Sequence, residues 1–199
     1  MKNNDFNKVL DTIDFSLNLE RLNNLHKEDF CIRVISMQDE ADFVKQGFNA
    51  GRFGKSEASY YVSKPLENHN RGYAHCFVVE SRILKKVICA FCIRERNTDT
   101  GKWIEIWHFA KEHSFNKHMA RLGYYYYGKL LFERFAIPIA KFYCRKLGIE
   151  RYYALVSDNN VLKHMTSANI KKLSVRQTIK LKRQVGEKSS KLVLFGLIQ

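Results

Sequence analysis

The order of the apolar segments between residues 73 and 157 constrains the fold of this chain most strongly. Three strand-like segments follow one another closely: YAHCFVVES, KKVICAFCIRER and KWIEIWHFA. A long helical pattern over about residues 117–147 comes next, and the apolar segment RYYALVS follows it directly. Short turn-like connections predict an antiparallel meander for the first three segments. A strand, a long helix and an adjacent strand form a crossover unit, whose two strands are parallel. The order therefore predicts a mixed sheet flanked by helices, in the α+β class.

Local signals define the ends of these elements and add others. Pro138 is expected to bend or divide the long helix, because proline removes a backbone N–H inside it. Gly148 is a typical C-terminal cap residue and should end that helix. The remaining predicted elements are a strand at residues 30–36, helices at 39–48 and 159–168, and alternating strands at about 172–183 and 191–198.

Length and composition favour one globular domain. The chain has 199 residues, 45% of them hydrophobic, which is enough to build one sizeable core. We expect a single domain over residues 1–199, with residues 1–28 as an N-terminal helical extension. No segment approaches ~18 uninterrupted apolar residues, and the first residues lack the apolar core of a signal peptide. The sequence therefore predicts a cytoplasmic protein, either free or peripheral at the membrane.

The cysteines are expected to be structural. There are five, an odd number, and most lie inside strand-like apolar segments, where a free cysteine behaves as a small hydrophobic residue. Cys89 and Cys92 form a C-x-x-C pattern, but residues three apart in a strand point to opposite faces. No second Cys or His pair lies nearby to complete a tetrahedral site. We therefore expect neither a disulfide framework nor a metal.

The formal net charge of +14 predicts an anionic partner. Nucleic acid, acidic lipid, a phosphate-bearing cofactor and an acidic carrier protein all satisfy this charge. The most basic stretch is KKLSVRQTIKLKRQVGEKSSK, in the last third of the chain. As an alternating hairpin it would present a basic face, which is the basis of an alternative hypothesis, a nucleic-acid-binding module. Ordinary solvation of a strand pair by lysines is the other explanation.

Several of these segments resemble a known family. IEIWHFAK (residues 104–111), KLLFERFAIPIAKFYCRKLGI and ERYYALVS resemble the central portion of the acyl-homoserine-lactone synthases and the related N-acyl amino acid synthases, which belong to the GNAT superfamily of N-acyltransferases. AHCFVVESRILKKVICAFCIRE resembles the hairpin that precedes it in those families. The resemblance covers about residues 73–170, and the arginine of the family pattern E-x-x-R-F/L-A falls on His108.

This resemblance implies a fold, an activity and a donor. In the GNAT-like fold the fourth and fifth strands splay apart to admit a pantetheine thioester. The implied reaction transfers an acyl group, medium or long in chain length, from acyl-CoA or acyl-ACP to a small amine or an amino acid. The product would be a lipid-like or autoinducer-like N-acyl amide. The basic surface suits both the phosphates of CoA and an acidic acyl carrier protein. An acyltransferase-like scaffold without activity is a third hypothesis.

Glu105 is the candidate general base for this reaction. It is an ionisable side chain in an otherwise apolar strand, and partial burial would raise its pKa toward neutral pH. The ordinary alternative is a cross-strand pair with Arg94 or Arg96. Both explanations remain open at the level of the sequence.

His108 is the second candidate catalytic residue. Three residues after Glu105, it points to the opposite face unless a β-bulge intervenes, and bulges are common beside active sites. Such a bulge would bring both side chains to the substrate. It would also leave the backbone N–H groups of Phe109 and Ala110 available to hold the thioester. A hydrogen-bonded histidine of the sheet is the ordinary alternative.

The segment FNKHMARLGYYYYG, before the long helix, is the candidate diphosphate site. A helix N-terminus presents unpaired N–H groups, and nearby cations add full positive charges. The residues assigned to cofactor binding here are Lys117, Arg121, Gly123 and Lys129. Solvated residues before a buried helix would give the same pattern. Substrate contacts are assigned to Arg94, Trp107 and Ser157, the last because it follows the strand at which a splayed sheet opens.

Overall fold

The computed structural model of the chain describes residues 30–36, 38–39, 67, 69, 71, 74–82, 85–111, 131–156, 171–188 and 192–197. The strands are β1 (Phe30–Val34), β2 (His75–Ser81), β3 (Lys86–Thr98), β4 (Gly101–Lys111), β5 (Arg151–Val156), β6 (Lys171–Lys172) and β7 (Leu192–Leu197). The helical elements are a π-helical turn at Phe132–Ala136, α1 (Ile137–Leu147) and α2 (Val175–Gln184). The strands lie side by side in the order β1-β2-β3-β4-β5-β7-β6.

β2, β3 and β4 form the predicted meander, and β1 lies beside β2. β1 pairs antiparallel with β2, from Phe30 opposite Ser81 to Val34 opposite Phe77. β2, β3 and β4 are neighbours in sequence order, and only residues 82–85 and 99–100 separate them. Connections this short join antiparallel strands, because a parallel pair needs a crossover of a dozen or more residues. Gly101 has a φ of 108°, which allows the tight turn after Asp99 and Thr100.

β4 and β5 are the parallel pair that the crossover predicts, with Ile104 opposite Tyr152 and Ile106 opposite Ala154. β7 lies antiparallel to β5, and β6 lies antiparallel to β7. The sheet is therefore mixed, and the predicted mixed sheet of the α+β class is confirmed.

Of the predicted helix at about residues 117–147, the structure describes residues 131–147, where a π-helical turn is followed directly by α1. The π-helical turn ends at Ala136, and Pro138 lies in the first turn of α1. Proline lacks an N–H, and its ring crowds the carbonyl four residues earlier, so a regular α pattern cannot run through this position. The wider π turn directly before it is one way to absorb the mismatch. Gly148 caps α1 with a φ of 64°, which confirms the predicted helix end.

The chain divides into two compact units, Met1–Cys92 with His108–Phe135 and Ile93–Trp107 with Ala136–Gln199. In the first unit Phe30 packs edge-on against Phe135, with ring centroids 6.0 Å apart, and Phe77 lies 5.6 Å from Phe91. In the second unit the buried cluster consists of Trp103, Tyr153, Leu173, Leu181 and Val185. The expectation of one domain over residues 1–199 stays a prediction.

The five cysteines are free, and all but Cys31 are buried. Cys89 and Cys92 lie in β3, within the continuous buried run from Val87 to Ile93. A run buried at every position is typical of a strand with both faces covered. These cysteines pack as small apolar side chains.

One predicted element is wrong. The expected strand over about residues 172–183 is two residues of β6 followed by the helix α2. Ser174 caps this helix: its hydroxyl accepts the Gln177 backbone N–H, and the Gln177 side chain accepts the Ser174 N–H. This reciprocal capping box favours a helix start more strongly than the alternation of Ile179 to Lys182 favours a strand. The basic hairpin proposed for this stretch is therefore a basic helix.

Three further predicted elements lie outside the described residues. They are the helical extension at residues 1–28, most of the helix at 39–48, of which the structure describes only Asp39, and the short helix at 159–168.

Candidate functional site

Glu105 lies in the middle of β4 and is 1% exposed. Its Oε2 accepts a hydrogen bond from Arg94 Nε at 2.6 Å, and Arg96 Nε lies 3.8 Å from the same oxygen. Both arginines come from β3 and are two residues apart, so they share the face of the sheet to which Glu105 points. The cross-strand pair that the sequence left open is therefore present. It supplies the counter-charge that a buried carboxylate needs.

Arg94 is held from a second side by Trp107. The guanidinium carbon of Arg94 lies 3.6 Å from the centroid of the indole ring, which is a cation–π stack. Trp107 follows Glu105 by two residues on β4, so the two side chains lie on one face. Three of the residues that the sequence assigned to the site, Glu105, Arg94 and Trp107, thus form one cluster.

Tyr153 of β5 joins this cluster and was not predicted. The parallel register places Tyr153 opposite Glu105, and the tyrosine is fully buried. Burial raises the pKa of the Tyr153 hydroxyl, and the negative charge of Glu105 raises it further. The phenol is therefore protonated at neutral pH, beside the carboxylate. The crossover unit predicted that β4 and β5 are neighbours, but no sequence signal fixed the register that brings Tyr153 here.

Arg96 connects Glu105 to helix α2. Its guanidinium donates a hydrogen bond to the carbonyl of Val185, the residue that ends α2. The C-terminal end of a helix carries a partial negative charge, which suits a guanidinium. Gln184 also donates to Asp99 Oδ2 at 2.8 Å, in the turn between β3 and β4. The C-terminal end of α2 is thereby fixed one side chain away from Glu105.

Among the described residues, β4 and β5 pair over three positions. The paired positions run from Ile104 and Tyr152 to Ile106 and Ala154. They end one residue before Trp107 and Leu155, although β5 continues to Val156. Glu105 therefore lies within the paired stretch, one position before its end.

The other predicted site residues are not placed by the structure. His108, Phe109 and Ala110 lie within β4, but their side chains are outside what the structure describes. Lys117, Arg121, Gly123, Lys129 and Ser157 also lie outside the described residues. Their assigned roles, and the β-bulge that would bring His108 beside Glu105, stay predictions.

Two features are absent from the described residues, a metal-binding group and a membrane-spanning helix. Among these residues, no three or more His, Cys, Asp and Glu side chains are grouped so that they could hold a metal ion. In the same part of the chain, no helix combines the length and the apolar character needed to cross a bilayer.

The arrangement fixes the Glu105 carboxylate in place. A carboxylate that is buried, fixed by one guanidinium and approached by a second is held in a single orientation. It lies on a strand whose pairing with its parallel neighbour ends one residue later.

No protein-family model matches the sequence, and no curated protein matches it. Solved structures do match it by fold. AtaTR bound with acetyl-CoA is similar with a TM-score of 0.56 and 13% identity, over 85% of this chain and 93% of that chain. A GNAT-family acetyltransferase from Staphylococcus aureus Mu50 is similar with a TM-score of 0.56 and 6% identity, over 85% and 99% of the two chains. An acetyltransferase from Streptococcus agalactiae 2603 gives a TM-score of 0.51 at 14% identity, over 85% and 98%. The chain has the fold of the GNAT acetyltransferases.

Proposed function

We propose that this chain is an N-acyltransferase that transfers an acyl group from acyl-CoA to an amine, with Glu105 as the general base. The observation that carries the proposal is the buried Glu105 on β4, held by Arg94 at 2.6 Å, where the pairing with β5 is about to end. The fold supports it, since AtaTR, which has a similar fold, was solved with acetyl-CoA bound.

The proposed step forms a carbon–nitrogen bond and breaks a carbon–sulfur bond. The amine nitrogen attacks the thioester carbonyl, and its proton passes to the Glu105 carboxylate directly or through one water. The thiolate of CoA then leaves, and solvent protonates it. Arg94, stacked on Trp107, keeps the carboxylate in the orientation that accepts the proton.

The other assigned residues complete the proposal. Backbone N–H groups of Phe109 and Ala110 would hold the thioester carbonyl or the pantetheine amides, and His108 would assist proton transfer. Lys117, Arg121, Gly123 and Lys129 would bind the diphosphate of CoA at the start of the long helix. Ser157 would contact the substrate after β5.

The resemblance to the acyl-homoserine-lactone and N-acyl amino acid synthases supports a narrower form. In this form the acyl chain is medium or long, the acceptor is a small amine or an amino acid, and acyl-ACP is an alternative donor. The high positive charge of the chain suits an acidic carrier protein as well as CoA.

A thiol-release assay tests the proposal. The purified protein is incubated with acetyl-, octanoyl- or palmitoyl-CoA and a panel of amino acids and simple amines, and free CoA thiol and new amides are measured. Amine-dependent thiol release with a matching amide mass would support the proposal and identify the chain length and acceptor. Acyl-CoA binding without thiol release for every amine would indicate an inactive scaffold. The absence of both acyl-CoA binding and thiol release would overturn the proposal.

A further inference from the structure

Helix α2 carries a row of cations on its solvent side. Arg176, Lys180 and Arg183 are all exposed, and we call these three residues the α2 stripe. Just before the helix, Lys171 and Lys172 are exposed on β6, at the edge of the sheet. Over residues 171–188 the chain has seven Lys or Arg residues, and Glu187 is the one acidic residue.

The helical geometry makes this row the outermost part of α2. The residues that pack inward, Thr178 and Leu181, lie on one side together with Val185 just beyond the helix. At about 100° per residue, Arg176 and Arg183 lie almost opposite that buried side, and Lys180 lies close to them. An alternating strand would have placed Arg183 on the face opposite Arg176 and Lys180, whereas the helix collects all three on one side.

The stripe forms no ion pair with an acidic side chain that the structure describes. Three of the described acidic side chains pair elsewhere: Glu105 with Arg94, Glu80 with Arg33 and Glu95 with Lys102. No ion pair involves Arg176, Lys180 or Arg183 within the described ranges. The buried side of α2 is fixed by Arg96 and by the apolar cluster, so the stripe is not needed to hold the helix in place.

We propose that the α2 stripe binds the sugar-phosphate backbone of a nucleic-acid duplex. Seven residues of helix extend about 10 Å, and one strand of a duplex places about three phosphates along that length. Three cations on one line match three phosphates. Residues 171–188 contain no aromatic side chain, so they offer no stacking platform for unpaired bases, and a duplex is favoured over a single strand.

Two other anionic partners fit the helix less well. A membrane-surface helix buries a broad apolar face in the lipid, but the apolar side of α2 already packs on the sheet. Its exposed apolar residues are Val175 and Ile179, beside the stripe rather than opposite it. An acidic protein would normally meet an apolar centre with a charged rim, whereas here the centre of the exposed face is cationic.

This proposal is independent of acyl transfer, and a direct binding measurement tests it. The probe is a fluorescein-labelled DNA duplex of arbitrary sequence, about 20 base pairs long, and fluorescence anisotropy is followed at several salt concentrations. The test variant combines Arg176→Gln, Lys180→Gln and Arg183→Gln, which keep the helix propensity of exposed positions. A matched control removes the same charge from α1 with Lys141→Gln, Arg145→Gln and Lys146→Gln.

We expect the wild type to bind the duplex with an affinity that falls steeply with salt. In the α2 variant the slope of log K against log salt should decrease in magnitude by about three, since each phosphate contact contributes about 0.9. The affinity should fall about tenfold or more. The α1 variant should keep most of the slope. Equal losses in both variants would show that overall charge rather than the stripe binds, and no duplex binding by the wild type would overturn the proposal. So would an α2-specific loss seen with polyglutamate or with phosphatidylserine vesicles but not with the duplex.

Discussion

At the scale of single residues, the neighbours of Glu105 were only partly predictable. An ionisable side chain inside an apolar strand marks Glu105 in the sequence, and the spacing of Arg94 and Arg96 marks its partners. The stack of Arg94 on Trp107 follows from the same alternation once β3 and β4 pair. Tyr153 could not be predicted, because its place depends on the register between two strands that a long helix separates.

Arg94 should contribute to stability chiefly through Glu105. Arg94→Gln removes the donor at 2.6 Å and leaves a buried carboxylate without its main partner, so we expect a loss of about 3 kcal/mol in the free energy of unfolding. Glu105→Gln should cost less, because the Arg94 side chain is 20% exposed and can be hydrated. Urea unfolding of both single variants and the double variant measures the coupling between them. We expect the double variant to be more stable than the sum of the single losses predicts; simple additivity would mean that the pair has no coupling.

A second ion pair belongs to the first unit. Arg33 donates to both carboxylate oxygens of Asp39, at 2.8 and 2.6 Å, and the Ser36 N–H donates to Oδ2 at 2.7 Å. Burial of Asp39 acts to raise its pKa, but the hydrogen bonds from Arg33 and Ser36 outweigh it and hold the pKa below its usual value. A carboxyl whose pKa is lowered by folding stabilises the fold in its ionised form.

This linkage gives Asp39 a predictable pH dependence. The contribution of Asp39 to the free energy of unfolding should be complete above the carboxyl pKa of the unfolded chain, about 4. It should decline as the pH falls toward the lower pKa that Asp39 has in the folded protein. Asp39→Asn should therefore cost about 2 kcal/mol near neutral pH and progressively less below about pH 4. Thermal or urea unfolding of the wild type and the Asp39→Asn variant across this pH range measures the difference in their free energies of unfolding. A difference that stays constant with pH would contradict a lowered pKa of Asp39.

At the scale of elements, α2 shows where a pattern misleads. The letters IKLK alternate apolar and charged residues and predict a strand, but the helix buries Thr178, Leu181 and Val185 at helical spacing. The capping box from Ser174 to Gln177 was a local signal in favour of a helix start. Four or five alternating residues are too few to outweigh a cap and a consistent buried face.

Ser174 should therefore contribute measurably to stability. Ser174→Ala removes the acceptor for the Gln177 N–H, and we expect a loss of about 1 kcal/mol in the free energy of unfolding. Ser174→Asp is the matched control, because aspartate caps a helix about as well as serine and should change stability little. Urea unfolding distinguishes the two, and equal effects of both substitutions would exclude a capping role.

At the scale of the whole molecule, the order of the elements was predictable and their bounds were less so. The meander of β2, β3 and β4, the end of α1 and the parallel pair follow from turn lengths, from Gly148 and from the crossover between β4 and β5. Each of these depends on local chemistry or on a general rule of chain connection. The contacts of the candidate site depend on strand register and on the docking of α2 through Arg96, and neither is written in a local pattern.

Turnover by the Glu105→Gln variant tests most directly whether Glu105 is the general base. Glu95→Gln is the matched control. Glu95 follows Arg94 directly in β3, and its buried carboxylate is paired with Lys102 at 3.1 Å. With the best acyl-CoA and amine from the thiol-release assay, we expect Glu105→Gln to lower kcat about 100-fold or more while acyl-CoA binding is retained. Glu95→Gln should lower stability but leave kcat within a few-fold of the wild type. Unchanged turnover in folded Glu105→Gln protein, or an equal loss in Glu95→Gln, would contradict a general-base role for Glu105.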